Sequence, residues 1–330
     1  MAIPRTHPSP NMLEGCTRSV DMNITYISTS YRDAEFLKAC NNSVLRQQDV
    51  TSHHIVMIDG YESKHLFDFI ENKKNCSKTT IIQNAFNKGK SSCVNEAIAK
   101  CSTRYIGLLD ADDVIFPGKS YEQINYLQEN PAKAAVGCSY IRFLDKKKTM
   151  MQFVPATIKM KQMWRQIVTG PTSLYSSIIV DQSKLEMPIM DERLECAMDY
   201  KFNLDCVVKG LIGNITGFHC GYRVREKSIT RSEKRIDQLR NHSTILMQNI
   251  QIDSELTDND LQIAETIFAA GLGRIAKVSP DIQKELNKAV TTKKQKNEAV
   301  ISKIKEELKQ GSNSLLSEPL LTILNIGAER

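Results

Sequence analysis

The sequence predicts an α/β fold in which helices flank a mostly parallel sheet, followed by a helical C-terminal region. Three observations carry this prediction. Short β-branched or aliphatic runs alternate with segments of helical period between residues 23 and 109, polar residues follow these runs, and the helical period dominates from residue 233 onward. Strands separated by helices of this length form right-handed βαβ units, which build a parallel sheet with helices on both faces.

Four strands and their connecting helices are predicted in order along the first part of the chain. The strands are NITYIS, HIVMI, TTIIQ and YIGLL, and the helices run through Phe36 to Leu45, Leu66 to Ile70 and Val94 to Cys101. A further helix is predicted near Tyr121 to Gln128, and AAVGCSYIRF has the composition of another strand. The 330 residues divide into an N-terminal tail at 1–21, an α/β domain at 22–232 and a helical region at 233–330.

The composition is that of a soluble protein in a reducing compartment. The nine cysteines are scattered and include no CxxC pair, so neither a disulfide framework nor a zinc site is expected. Prolines interrupt the start, MAIPRTHPSPNMLEGC, where a signal peptide needs an unbroken apolar run. No later run approaches the ~18 apolar residues of a membrane span. We therefore expect a cytoplasmic protein.

The net charge of +6 is concentrated in two basic clusters, at Arg223 to Arg240 and at Lys284 to Lys309. Aromatic residues make up 6% of the chain and do not interleave with these clusters, as a surface that stacks single-stranded bases would require. No nucleic-acid partner is therefore expected. Arg223 and Arg225 alternate along a predicted strand and share one face, which suits a diphosphate, although a solvated basic face has the same pattern.

Polar side chains follow the four predicted strands at the edge where ligands bind in open α/β sheets. They are Thr29 and Tyr31 after the first strand, Asp59 after the second, Asn84 and Asn87-Lys88-Gly89 after the third, and Asp110 to Asp113 after the fourth. The segment Gly89-Lys90-Ser91 resembles the end of a phosphate-binding P-loop. Because Asn84 stands where that motif has its first glycine, we interpret the segment as the rim of a ligand site without a P-loop.

The stretch LLDADDVIFPG puts Asp110 and Asp112 at the end of an apolar strand. Their oxygens suit a hard divalent ion, Mg²⁺ or Mn²⁺, that can neutralise a diphosphate. A solvated turn that caps a helix has the same residues. The stretch also fits the DxDx[TV] loop of haloacid-dehalogenase-like phosphatases, whose first aspartate attacks phosphorus. Three βα units precede this loop and no Gly-Asp-x-x-x-Asp motif follows it, which makes the phosphatase the weaker alternative.

Seven motifs follow one another between residues 22 and 231. They are ISTSYRDAEFLKACNNSVLRQ, HIVMIDG, NKGKSSCVNEAI, YIGLLDADDVIFPG, TSLYSSIIV, AMDYKFNL and YRVREKSIT. This order resembles glycosyltransferase family 2, the inverting enzymes with a GT-A fold. The resemblance implies a Rossmann-like GT-A core, a divalent metal (Mn²⁺ or Mg²⁺) and a nucleotide-diphosphate sugar as donor, with UDP favoured over GDP. It also implies a glycan or a lipid-linked molecule as acceptor.

The same resemblance implies roles for individual residues. Thr29, Tyr31 and Asp59 would border the base and ribose, and the segment that begins with Asn87 and Lys88 and ends at Asn95 would close the pocket. Asp110, Ala111 and Asp112 would form the metal-binding DxD motif. Asp199 would be the catalytic base. The chemistry agrees, because an acceptor hydroxyl must lose its proton to a nearby base as it attacks the anomeric carbon. A helix N-cap is the alternative role for Asp199.

The chain departs from the family pattern at three places. Ile58 stands where many members have the first of two aspartates, and Met198 replaces the acid that commonly precedes the base. Arg225 lies near the position of a histidine that often completes the metal or phosphate contacts, and His219 does not align with that histidine. An inactive glycan-binding or scaffold protein of the same fold is a second interpretation. The intact Asp110, Asp112 and Asp199 favour the enzyme.

The segment from Lys284 to Lys309 carries eight lysines, four glutamates and an apolar stripe. The stripe comprises Leu286, Val290, Ile301, Ile304 and Leu308. Such a helix packs against a core or a second subunit, or it lies on an anionic membrane surface. Because the stripe lacks Trp and Phe, the usual interfacial anchors, packing within a homo-oligomer is favoured over peripheral membrane contact.

Overall fold

The computed structural model describes residues 22–73, 76–144, 151–167 and 171–225. Within these ranges strands alternate with helices, so the predicted α/β class is confirmed. The N-terminal tail, the boundary near residue 232 and the helical region at 233–330 lie outside the described residues, and so does the apolar stripe in that region.

In the described part of the chain, nine strands form one sheet. They are β1 (Asn23–Ser30), β2 (Thr51–Asp59), β3 (Thr79–Asn84), β4 (Tyr105–Leu108), β5 (Val114–Ile115), β6 (Ala135–Leu144), β7 (Met151–Val154), β8 (Ile179–Asp181) and β9 (Ile212–Val224). The order is β3-β2-β1-β4-β8-β6-β9-β5, and β7 pairs with β6 outside this path. The strands β3, β2, β1 and β4 are parallel, whereas β8 is antiparallel to both of its neighbours. The parallel half corresponds to the predicted βα units, and the other half is mixed.

The α-helices connect and cover these strands. Those described are α1 (Leu37–Leu45), α2 (Lys64–Lys73), α3 (Lys90–Ala99), α4 (Lys119–Glu129), α5 (Met160–Ile167) and α6 (Met198–Val208). The first three each join two successive parallel strands, as a βαβ connection requires. Among these helices, none combines the length and the apolar character needed to cross a membrane.

Both faces of the sheet are buried. Successive residues of a strand point to opposite faces, so neighbouring residues of β1 pack into different cores. Tyr26 of β1 packs with Cys40 of α1 and Ile124 of α4 on one face. The next residue, Ile27, packs into the core on the other face, which includes residues of α3 and α6. Gly107 lets β4 lie close beside β1, since a Cβ there would be 2.2 Å from the Tyr26 ring.

A buried histidine joins α1 to the parallel strands. His54 is fully buried, and its ring nitrogens Nδ1 and Nε2 lie 2.9 Å from Asn41 Nδ2 and 2.9 Å from Ser28 Oγ. Because the Asn41 amide nitrogen can only donate, His54 Nδ1 accepts and the imidazole is neutral. Burial lowers the pKa of His54 to about 3.

The free energy of unfolding should therefore decrease as the pH falls below about 6.5, the ordinary pKa of histidine. Between that pH and about 3 the unfolded chain binds a proton at His54 and the folded chain does not, which costs up to ~1.4 kcal/mol per pH unit. His54→Gln should flatten this slope in urea unfolding measured from about pH 4 to 7. His65→Gln, at an exposed position on α2, is the matched control. A slope that His54→Gln leaves unchanged would contradict the prediction.

Candidate active site

The carboxyl ends of the parallel strands meet at one edge of the sheet. Ser30 of β1 pairs with Ile58 of β2, and Asp59 of β2 pairs with Asn84 of β3. The turn that follows β4 reaches the same edge, where Asp110 forms an ion pair with the first residue of α3. The structure therefore brings together the polar groups that follow the four predicted strands.

Three aspartates form the acidic turn, residues 110–113, which follows β4. One carboxylate oxygen from each of Asp110, Asp112 and Asp113 lies within 4.8 Å of those of the other two. Burial raises the pKa of Asp112 to about 6, while Arg225 opposes the shift and Asp110 adds to it. Carboxylates held this close repel one another, so the acidic turn favours a cation.

Asp113 supports the acidic turn from inside the protein. It is fully buried, and its two oxygens accept hydrogen bonds from the backbone N–H of Arg223 at 2.8 Å and from Ser176 Oγ at 2.6 Å. Ser176 Oγ in turn accepts a bond from the backbone N–H of Asp110 at 3.0 Å. Both oxygens of Asp113 are thus occupied, whereas Asp110 and Asp112 stay partly exposed. Asp110 and Asp112 are therefore the pair that can hold a divalent cation, and the buried Ala111 joins them.

Arg225 lies on the open side of the acidic turn, directly after β9. Its Nε is 2.6 Å from Asp112 Oδ2, and the side chain keeps 25% of its exposure. The guanidinium packs over the Phe36 ring, 5.1 Å from the centroid, and lies 4.0 Å from Asp33 Oδ2. Arg225 therefore brings a positive charge beside Asp112 on the accessible side of the turn.

Arg223 lies behind the acidic turn. It is 3% exposed, and its guanidinium carbon lies 4.7 Å and 4.8 Å from the ring centroids of Phe36 and Phe143. Its Nε donates to the carbonyl oxygen of Asp112 at 2.7 Å. Arg223 and Arg225 share the Phe36 face, as the alternation predicts, but Arg223 holds the turn and Arg225 is the accessible one. Strand periodicity predicts that Arg223 and Arg225 share a face, but it does not predict how deeply each side chain is buried.

Lys90, the first residue of α3, links the acidic turn to Asp199. Its Nζ contacts Asp110 Oδ1 and lies 3.7 Å from the centroid of the Tyr175 ring. Burial lowers the pKa of Lys90, but Asp110, Tyr175 and Asp199 raise it, and the net change is upward. Lys90 is therefore a permanent cation beside the acidic turn.

Asp199 lies in the first turn of α6, whose N-cap residue is Ala197. Asp199 therefore does not occupy the N-cap position that was the alternative role for it. Burial raises its pKa, Lys90 opposes the change and Asp110 adds to it. A carboxylate whose pKa moves towards neutrality is a better proton acceptor, which suits a general base.

A cleft of about 440 Å³ opens at the ends of β2 and β3. It is lined by Gly60, Glu62, Gln83, Asn84 and Ala85. Thr29, near the end of β1, is partly exposed. After β1 the rings of Tyr31 and Tyr61 meet edge to face with centroids 5.6 Å apart. The guanidinium of Arg32 lies 4.9 Å and 5.5 Å from these two centroids. Two exposed rings and a planar cation form a stacking surface at this rim.

Asp59 closes the loop between β3 and α3. The side chain is 4% exposed, and its oxygens accept bonds from the backbone N–H groups of Lys88 at 2.8 Å and Gly89 at 3.0 Å. The Asn84 amide donates to the same carboxylate at 3.2 Å, and Asn87 Oδ1 accepts a second bond from Gly89 N–H at 3.0 Å. Asp59 and Asn87 thus shape the loop that borders the cleft.

Asn95 and Lys88 also engage protein partners. The buried Asn95 amide donates to the carbonyl of Met190 and to Glu192 Oε1, both at 2.9 Å. Its oxygen accepts from Met190 N–H at 3.1 Å, so Asn95 fixes the loop that precedes α6. Lys88 Nζ forms an ion pair with Glu96 at 2.9 Å. Segment 87–95 is therefore a braced wall of the site.

Gly60 is a position where the cleft wall admits no side chain. Its φ is +74°, and a Cβ would lie 2.4 Å from backbone atoms of Phe86 and Asn87. Gly210 has a φ of +65° with no atom within 4 Å of a Cβ, so it is a matched control for backbone strain. Gly60→Ala should lower the free energy of unfolding by ~1–3 kcal/mol more than Gly210→Ala, as measured by urea denaturation. Equal losses would contradict direct packing of the loop on Gly60.

Sequence reasoning missed several side chains of the site. Tyr175 and Ser176 belong to a short 3₁₀ helix, and Ser176 lies 66 residues after the aspartate whose N–H it binds, so no local pattern joins them. Lys90 could have been identified from the sequence, because it directly follows Asn87-Lys88-Gly89 at the predicted edge of the ligand site and begins the next helix. Asp33 and Arg32 follow Tyr31 directly, and their composition alone does not distinguish them from a solvated turn.

The sheet has the architecture of the GT-A fold. Residues 25–181 match the profile of Glycosyl transferase family 2, so the resemblance that the motifs predict is confirmed. The uncharacterized glycosyltransferase MJ1057 of Methanocaldococcus jannaschii is 25% identical over 217 residues, which are 64% of this chain and 74% of that protein.

Two solved structures have a similar fold. S. aureus TarS 1-349 in complex with UDP-GlcNAc has a TM-score of 0.54 at 15% identity, over 77% of this chain and 72% of that chain. Mannosyltransferase PcManGT from Pyrobaculum calidifontis in complex with GDP-Man and Mn²⁺ has a TM-score of 0.51 at 13% identity, over 93% of this chain and 86% of that chain. The predicted GT-A fold is confirmed.

Proposed function

We propose that the protein is an inverting glycosyltransferase that moves a sugar from a nucleotide-diphosphate donor to a hydroxyl of a glycan or lipid-linked acceptor. The observation that carries the proposal is the acidic turn with the ion pair of Asp110 and Lys90, whose pKa Asp199 also raises. The reaction needs a cation site for the leaving diphosphate and a base for the acceptor, and the acidic turn and Asp199 are the candidates for these two roles. TarS and PcManGT, which share the fold, bind UDP-GlcNAc and GDP-Man respectively. We favour UDP over GDP for this chain.

Asp110 and Asp112 would hold the divalent cation, Mn²⁺ or Mg²⁺. Hard carboxylate oxygens within 4.8 Å of one another fit either ion. When bound, the cation neutralises the negative charge that develops on the leaving diphosphate. The exposed edge of Arg225 adds a permanent positive charge at the same place.

Asp199 would accept the proton of the acceptor hydroxyl. As that proton moves to the carboxylate, the acceptor oxygen forms a bond to the anomeric carbon. The bond from that carbon to the diphosphate oxygen breaks, and its electron pair leaves with the nucleoside diphosphate. Attack on the face opposite the leaving group inverts the configuration at the anomeric carbon. The raised pKa of Asp199 supports this role.

The nucleoside would occupy the rim formed by Thr29, the Tyr31–Tyr61 pair and the cleft wall. Planar rings stack on a base, and Arg32 beside them extends the planar surface. A cleft of about 440 Å³ is within the size range of small-molecule sites. Asp59 would act here through the loop that it braces.

A thermal-shift screen of nucleotide sugars with and without Mn²⁺ tests the proposed function. A donor that binds the folded state raises the melting temperature, and the rise should require or increase with Mn²⁺. Release of UDP or GDP from the stabilising donor separates an enzyme from an inactive binding protein. Release of inorganic phosphate from a phosphate monoester, with no response to nucleotide sugars, would instead support the phosphatase.

We further propose that the protein acts in the cytoplasm, where its acceptor is free or presented at the membrane periphery. The residue pattern at 284–309 supports self-association as the preferred role of the predicted helical region. The low share of aromatic residues near the basic clusters supports a small anionic ligand over nucleic acid.

A further inference from the structure

Each carboxylate expected to hold the divalent cation is paired with a positive side chain of the protein. Lys90 Nζ contacts Asp110 Oδ1, and Arg225 Nε lies 2.6 Å from Asp112 Oδ2. The two positive side chains are 33% and 25% exposed, so they lie on the open side of the acidic turn. A divalent cation must therefore compete with Lys90 and Arg225 for its ligands.

Both positive side chains have second contacts that would keep them near the site. Lys90 Nζ lies 3.7 Å from the centroid of the Tyr175 ring, and Arg225 packs over Phe36 at 5.1 Å. A diphosphate brings negative oxygens into the space between these groups. Lys90 and Arg225 can then exchange their carboxylates for phosphate oxygens, which frees the carboxylates for the cation.

We propose that Lys90 and Arg225 neutralise Asp110 and Asp112 in the nucleotide-free protein and transfer to the donor diphosphate when it binds. Divalent cation and nucleotide then bind cooperatively, and Lys90 is a positioning residue for both. The inference rests on the proposed function, since it requires a nucleotide diphosphate at this rim. Such coupling is reciprocal, so the factor by which UDP tightens Mn²⁺ binding equals the factor by which Mn²⁺ tightens UDP binding.

Lys90→Met tests the proposal because it removes the charge and keeps the length of the side chain. Mn²⁺ binding to the full chain is measured by electron paramagnetic resonance of free Mn²⁺, and UDP binding by calorimetry in Mn²⁺. Nucleotide-free Mn²⁺ affinity should rise about tenfold, since one neighbouring charge changes the affinity of a carboxylate for a cation by this order. UDP affinity in Mn²⁺ should fall about tenfold, since a charge-assisted contact is lost.

These opposite signs distinguish the proposal from simpler roles of Lys90. A purely structural role would weaken both affinities, and a diphosphate contact alone would weaken UDP binding without changing Mn²⁺ binding. Either result overturns the proposal. Arg225→Met is the second variant and should give the same pair of changes. Lys100→Met is the matched control, because it removes the same charge at the far end of α3, where Lys100 pairs with Glu96 at 3.3 Å.

Failure of this inference and failure of the proposed function have different signatures. If the wild-type protein binds neither UDP nor GDP in the presence of Mn²⁺, both fail. If it binds UDP or GDP with Mn²⁺, and neither Lys90→Met nor Arg225→Met tightens nucleotide-free Mn²⁺ binding, only the coupling through these side chains is overturned.

Discussion

Asp112→Asn should lose the dependence of nucleotide binding on Mn²⁺ while the protein stays folded. The substitution removes one of the two accessible carboxylates of the acidic turn and leaves Arg225 without its 2.6 Å partner. Without that ligand the charge of the diphosphate is poorly compensated. We expect UDP affinity in Mn²⁺ to fall by about a hundredfold or more, since even the loss of a residue that only hydrogen-bonds to a metal ligand lowers metal affinity by roughly 10- to 100-fold. Calorimetric titration of UDP with Mn²⁺ and with a chelator measures the loss.

Asp191→Asn is the matched control for this variant. Asp191 forms an ion pair with Arg193 at 2.6 Å outside the acidic turn, so the change removes a paired carboxylate that is not a proposed ligand of the cation. It should leave UDP affinity unchanged. A folded Asp112→Asn protein with the UDP affinity of the wild type in Mn²⁺ would contradict the assignment of the cation to Asp112.

Asp199→Asn should keep donor binding and lose sugar transfer. The amide has the shape of the carboxylate but cannot accept the proton of the acceptor hydroxyl. The rate of transfer should fall by roughly 10²–10⁴, the usual contribution of a general base. Thermal shift with the donor and the rate of nucleoside diphosphate release, measured on the same preparation, separate binding from chemistry.

Asp205→Asn distinguishes Asp199 from the other carboxylate of α6 in the described residues. Lys201 Nζ lies 2.6 Å from both oxygens of Asp205, and the Asp205 side chain is 41% exposed. Because its oxygens are occupied by this pair, Asp205→Asn should have little effect on transfer. Normal transfer by Asp199→Asn together with a large loss in Asp205→Asn would reassign the base.

The parallel half of the fold was predictable because its information is local. Each of β1 to β4 is a short apolar run, and each connecting helix repeats its own period, so pattern alone gives their order and class. The pairing of β6 with β9 was not predictable, since about 70 residues separate the two strands and no local rule joins them. The residues 110–112 and 199 were identified by motif order, and their roles stay predictions.

The sequence could not predict how deeply a side chain is buried or which protein partners its polar atoms already bind. Arg223 and Arg225 are equivalent in a strand pattern, yet Arg223 is 3% exposed and Arg225 keeps 25%. Asp59 ends β2, where a nucleotide contact is expected, but its carboxylate binds the backbone of a loop about 30 residues away. Lys90 is identified as part of the site from the structure, which places the start of α3 beside the acidic turn.

The central claim is that Asp110, Asp112 and Asp199 form one site for a nucleotide sugar and a divalent cation. The most direct measurement is chromatography of UDP or GDP released from the donor that stabilises the protein, with wild type, Asp112→Asn and Asp199→Asn, in Mn²⁺ and in a chelator. The account predicts release by the wild type in Mn²⁺, little release in the chelator or by Asp112→Asn, and slow release by Asp199→Asn despite donor binding. Release that continues at the wild-type rate in the chelator and in both variants would contradict it.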